Sequence, residues 1–160
     1  MKFILIFFGF LSAIKVASQP ADNTFRRNEY NIYYQALSHY LDFRSTDSFF
    51  ERDKRIDTLF VYNDTKTGDS LMSTIKSTEI IMIVDPFDYI VDRKLKGISL
   101  YSLFPLRYDG REFSVTIVPF GVTANKKKRR LNFSRSDTYK VFFKFFEGRF
   151  YFDRVEQSGI

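Results

Sequence analysis

Apolar residues recur at steps of three and four in the first third of the chain. Tyr30, Tyr33, Tyr34, Leu37 and Leu41 form a stripe that Ile32, Ala36, Tyr40 and Phe43 widen. That period predicts a helix over 29–43. Asn28 is placed to cap it and Glu29 puts negative charge in the first turn, where the helix dipole favours it. A stripe this broad implies that a sheet covers much of the helix. The pattern then changes. Residues 48–51 (SFFE) have the spacing of a capping box and predict one short turn. Residues 58–62 (TLFVY) read as a buried strand ended by the turn-rich 63–70, and β-branched 80–84 (IIMIV) reads as another. Asp85 and Pro86 are N-cap and first-turn signals for a second, short helix closing near Lys94, before Gly97.

Two hairpins dominate the C-terminal half. Residues 98–107 and 111–120 flank Asp109-Gly110, a strong two-residue turn signal. Centring the turn there sets Leu100 opposite Pro119, Leu103 opposite Thr116 and Arg107 opposite Glu112, giving an apolar face and a cross-strand ion pair in one register. Residues 138–146 and 149–155 turn at Glu147-Gly148. This pairs Phe143 with Phe152 and Phe145 with Phe150 on a core face, and Lys144 with Tyr151 and Phe142 with Asp153 on a mixed face.

The predicted fold class is α+β, with an N-terminal helix packed on a curved antiparallel β-meander of about four to five strands and a second short helix. In general outline this resembles the cystatin-like and NTF2-like layouts. The likeness is architectural, rests on no motif and implies no function.

The first eighteen residues read differently from the rest. Lys2 precedes an apolar run from Phe3 to Ile14, and Val16 and Ser18 fit the small-residue positions before a cut at Gln19, the pattern of a secretory signal. The run is shorter than the roughly 20 residues a bilayer span needs. The expected organisation is a signal peptide over 1–18, a flexible polar lead-in over 19–27 and a single domain over 28–160, secreted or periplasmic. With no cysteine, an acylated-cysteine anchor and disulfides are excluded, so stability must come from a core. Losing Lys2 and Lys15 with the leader lowers the formal charge from +6 to +4, a weak bias toward anionic partners. Twenty Phe and ten Tyr without Trp suit either an aromatic surface or a biased codon usage, and we favour the latter.

Candidate chemistry is sparse. His39 is the sole histidine, which excludes sites built on two imidazoles, and Ser38 and Asp42 share its helix, where a triad cannot assemble. Asp85, Asp88 and Asp92 recur at helical spacing, but capping and first-turn electrostatics explain them without a metal. Asp64 follows a strand as a phosphoryl-transfer nucleophile would, yet Lys66 stands where a second aspartate is needed. No nucleotide loop or zinc motif occurs, so neither cofactor nor metal is expected. Asn63 and Asn132 head glycosylation triplets that matter only in a glycosylating host.

One feature exceeds this background: Lys126, Lys127, Lys128, Arg129 and Arg130 are consecutive. Mutual repulsion places them on an exposed loop. With Lys140 and Lys144, which share a strand face with Phe142 and Phe146, they form the candidate contact surface for an anionic polysaccharide, a lipid surface or a protein. Nucleic acid is disfavoured because no RNA-binding signature accompanies the aromatic strands. The first functional expectation is therefore a non-enzymatic exported domain binding a macromolecule. The second is a small-ligand or enzymatic domain with a pocket between the first helix and the sheet, lined by Tyr33, Tyr34, His39 and Tyr40. The third is an inhibitor or immunity partner of another exported protein.

Overall fold

The computed structural model describes residues 31–46, 56–62, 71, 73–135 and 137–159. The leader, the lead-in, the 48–51 box and the 63–70 turn with Asn63 and Asp64 lie outside these residues. Along the described chain the elements are α1 (Ile32–Thr46), β1 (Thr58–Tyr62), β2 (Thr74–Ile75), β3 (Thr78–Ile83), α2 (Pro86–Asp92), β4 (Ile98–Leu103), β5 (Arg107–Tyr108), β6 (Phe113–Asn125), β7 (Arg130–Arg135), β8 (Thr138–Phe146) and β9 (Arg149–Ser158). The class is α+β. None of the described helices is long and apolar enough to cross a membrane.

The sheet is larger than expected and mixed. Nine strands run in the order β2-β3-β1-β4-β6-β8-β9, with β5 and β7 also paired to β6. β1 lies parallel to both β3 and β4, so a purely antiparallel meander of four to five strands is not what forms. The cause is visible in β1 itself. Its continuous apolar run serves two buried faces, Leu59 and Val61 to one core, Phe60 and Tyr62 to the other. Strands buried on both faces are those that parallel pairing with helical crossovers produces.

Each helix takes one face. Ile32, Ala36, Leu37, Tyr40 and Leu41 of α1 pack on Leu59, Val61, Tyr101, Leu103, Val115, Ile117, Tyr139, Val141 and Phe143. Ile90 of α2 packs on Ile83, Ile98, Leu100 and Val122 from the opposite side. A fully enclosed side chain of this kind contributes about 1.5–3 kcal/mol. The cap of α1 is Asn31, whose Oδ1 accepts the N–H groups of Tyr33 at 2.9 Å and Tyr34 at 3.3 Å; Asn28, Glu29 and Tyr30 lie outside the described residues. The helix also runs past Phe43 to Thr46, with the hydroxyls of Ser45 and Thr46 bonded back to helix carbonyls. α2 begins as expected. Asp85 accepts the N–H groups of Phe87 and Asp88, and Pro86 opens the first turn.

The first hairpin forms in a different register. Tyr108 pairs with Phe113, so four residues, not two, make the turn; Asp109 Oδ1 closes it by accepting the N–H groups of Arg111 and Glu112, each at 3.0 Å. A break at 104–106, where Pro105 lacks a donor, shifts the ladder again, and Leu100 pairs with Phe120, Leu103 with Ile117 and Arg107 with Ser114. A single-residue slip exchanges the faces. Leu100 and Phe120 therefore join the α2 side, and Arg107 does not pair with Glu112. Pro119 sits where β6 changes neighbour from β8 to β7, a place that tolerates a missing ladder donor.

The second hairpin keeps its expected pairs from Phe143–Phe152 to Phe145–Phe150. A bulge then sets Phe142 opposite Arg154 instead of Asp153. Its inner face is core only as far as Phe143, which is fully buried; Phe145 is 52% exposed and Phe152 42%.

Candidate functional site

The cationic run forms the tip of the β6–β7 hairpin. Asn125 pairs with Arg130 and closes the turn, and its Oδ1 accepts the N–H of Lys128 at 3.1 Å. Arg129 adopts φ 45, a left-handed geometry that a single turn residue can hold. Its guanidinium carbon lies 5.9 Å from the Phe87 ring centroid of α2. Lys126, Lys127, Lys128, Arg129 and Arg130 are all exposed, and among the described residues no acid forms an ion pair with any of them.

The structure separates Lys140 and Lys144 from that tip. Lys140 is opposite Thr116, nine positions along β6 from Asn125, or about 30 Å at the rise of an extended strand. Lys144 is further still and forms an ion pair with Asp153. Arg154 completes a connected set. Its two terminal nitrogens hold Glu112 bidentately, both at 2.9 Å, and its guanidinium carbon lies 4.0 Å from the Phe142 ring centroid. The carboxyl of Glu112 is held below its ordinary pKa by its hydrogen bond from Arg154, and that of Asp153 by its hydrogen bonds from Lys144 and then Arg154. So Lys144 belongs to a locally compensated face, and Lys140 lies well away from the tip. The Glu112–Arg154 pair joins residues 42 apart in sequence, and no local pattern announces it.

Tyr33, Tyr34, His39 and Tyr40 are dispersed over α1. Tyr40 is fully enclosed between Tyr101 and Tyr139, ring centroids 5.9 and 4.9 Å away, and among the described residues its hydroxyl has no hydrogen-bond partner of good geometry. Burial, then the Tyr101 phenol, raises its pKa beyond the ordinary range. The Tyr33 hydroxyl accepts the Leu106 N–H at 3.1 Å, tying the start of α1 to the β4–β5 break. Tyr34 packs on the same core at partial burial. His39 stacks on Phe152 with ring centroids 3.8 Å apart, and burial lowers its pKa against the opposing pull of Asp42.

A cavity of about 450 Å³ opens instead beyond the last turn of α1, where β1 and β4 diverge below their Phe60–Leu100 pair. Arg44, Thr58, Ser99 and Tyr101 give it polar walls, and Phe60, Leu95 and Ile98 apolar ones. Arg44 also donates to the Tyr139 hydroxyl at 3.3 Å. Sequence spacing could not find this cavity, because its walls come from three separate segments.

A second surface lies at the opposite end of β6. Tyr108 stacks on Phe113 at 4.6 Å, and Phe113 meets Phe150 at 5.2 Å, with Phe145 5.0 Å from Phe150. Tyr108, Phe145, Phe146, Tyr151 and Phe152 are all substantially exposed. Asp85 is engaged as a helix cap, and among the described residues no three His, Cys, Asp or Glu side chains group to hold a metal ion. Comparison with protein-family models, curated proteins and solved structures found no match to this chain.

Proposed function

We propose that the protein is an exported, non-catalytic domain that binds an anionic polysaccharide through the β6–β7 tip. The observation that carries this reading is the five consecutive exposed cations without an acidic partner among the described residues. Each cation near an anionic surface is worth about 1 kcal/mol. The tip is a turn of four residues, so its charges project to several sides, and a linear polyanion can wrap such a point where a flat lipid surface touches one side only. Export rests on the 1–18 leader, and the helix-on-sheet layout likened to cystatin-like and NTF2-like folds gives a scaffold without a substrate. The mature chain should be retained on heparin in a salt-sensitive way. Reversing all five cations to Glu should send it to the flow-through, while Lys144→Glu should leave elution nearly unchanged. Equal retention of the reversed chain would remove the proposal, and binding to anionic vesicles without binding to heparin would redirect it to lipid.

A second reading, small-ligand binding, draws on the cavity beside Arg44. Carboxylate or phosphate probes should then raise the melting temperature of the native chain but not of Arg44→Gln.

A further inference from the structure

β9 is the last strand on its side of the sheet; among the described residues its strand neighbour is β8. The turn before it has two residues, Glu147 at φ 48 and Gly148 at φ 77, the geometry of a type I′ hairpin. Phe146 and Arg149 therefore close it as a hydrogen-bonded pair. The ladder alternates from there, with Lys144 and Tyr151 bonding each other and Phe150 and Phe152 turning their N–H and C=O groups to the open side. An open edge is a template for another strand unless charge, proline or a bulge protects it. Such protection starts only past Phe152, with the bulge and the charges of Asp153, Arg154 and Glu156. Over 150–152 the edge is all rings, with Tyr151 47% and Phe152 42% exposed, and Phe146, exposed by 63%, beside them.

We propose that residues 149–153 of β9 pair antiparallel with the same segment of a second copy of this chain, about a two-fold axis at Tyr151. A two-fold axis normal to the sheet keeps every side chain on its own face, so only alternate registers are open. Centring on Phe152 sets Tyr151 against Asp153 and Phe150 against Arg154, rings against charges. Centring on Phe150 sets Arg149 against Tyr151. The Tyr151 register matches ring with ring and sets no ring against a charge: Phe150 faces Phe152 of the second copy twice, Tyr151 faces its own copy, and Arg149 falls beside the Asp153 that Lys144 and Arg154 hold, a placement without like-charge repulsion. It also makes Phe150 and Phe152, whose backbone groups point outward, the hydrogen-bonded pair. The strand's own sequence is thus complementary to itself, which is the argument for a second copy over any other occupant.

Because the chain has no cysteine, a single introduced one is its sole thiol. At the axis two Tyr151→Cys residues form a non-hydrogen-bonded pair with Cα atoms about 4.5 Å apart, within disulfide range. Light scattering on the mature chain should give twice the monomer mass, falling on dilution. Oxidised Y151C should run as a covalent dimer, while Gln157→Cys, about 40 Å from its own copy by strand rise, should not. Tyr151→Lys sets two cations face to face and should weaken self-association about thirty-fold, the loss typical of a central interface ring. A monomer mass at every concentration with no cross-link in Y151C overturns the proposal. A dimer that ignores both Tyr151 substitutions also overturns it, since it must form elsewhere. So does a monomer that floats with phosphatidylglycerol vesicles, which would assign the rings to lipid.

Discussion

At its Asn125 end β6 runs into a turn of bare cations, while at its Phe113 end it lies between two turns crowded with rings. At the second end Glu112, Lys144, Asp153 and Arg154 neutralise one another in a connected set. The two ends follow one rule. An unpaired charge costs little in water and a great deal when apolar surface approaches it. So the cations without an acidic partner among the described residues gather at a turn whose described ring contact is Phe87, and charges among aromatic side chains come with partners. On the two proposals made above, the first end meets a charged partner from solvent and the second is covered.

The largest effect that sharpens this contrast lies within the aromatic end itself. Phe143 and Phe145 are two positions apart on one face of β8, yet the first is fully buried and the second about half exposed. Phe143→Ala should destabilise the fold by about 3–5 kcal/mol through lost burial and a residual cavity. Phe145→Ala should cost about 1 kcal/mol or less, because half of its ring already faces water. Urea unfolding of both variants tests this. Similar losses would mean that the outer rings belong to the core, and the proposed edge contact would lose its exposed surface.

The same two residues mark how far the sequence could be read. The Glu147-Gly148 signal located the second hairpin and its outer pairs, since a two-residue turn fixes register locally. It could not show that the core ends at Phe143, because burial there depends on where α1 stops covering the sheet. The first hairpin failed for a related reason. Asp109 was read as one of two turn residues, but its carboxylate caps a turn of four, and Pro105 shifts the strand once more. The parallel pairing of β1 was open to inference from its two-sided apolar run flanking a helical crossover. The nine-strand count was not, because β2, β5 and β7 are short or polar. Of the candidate site, the charge of 126–130 was legible as a local run. The neutralisation of Lys144 was not, since its partner Asp153 lies across the hairpin and was expected opposite Phe142.

A smaller effect concerns acid. Glu112 and Asp153 have folded pKa values below their ordinary ones. Their contribution is fully present above the unfolded carboxylate values, near pH 4, and is lost as pH falls through the lower folded values. The melting temperature should therefore drop on acidification below about pH 4, and less steeply in Arg154→Ala, which has already lost the partner of Glu112. Parallel acid profiles for the two proteins would show that the ion pairs at the aromatic end do not hold it together.

The smallest effect compares the two turns directly, because each holds a non-glycine residue in the left-handed region: Arg129 at φ 45 and Glu147 at φ 48. A side chain there costs about 1 kcal/mol relative to glycine. Glu147→Asn creates the Asn-Gly pair that a type I′ turn prefers, so it should stabilise the fold by up to about 1 kcal/mol and leave heparin retention unchanged. Arg129→Gly should relieve the same strain but remove one of five cations, gaining stability while eluting earlier. Matched gains in melting temperature with divergent elution would separate the turns by role, since their backbone strain is alike and only their charge differs. If Arg129→Gly eluted with the unsubstituted chain, the cation nearest Phe87 would be a packing residue, and the binding tip would reduce to Lys126, Lys127, Lys128 and Arg130.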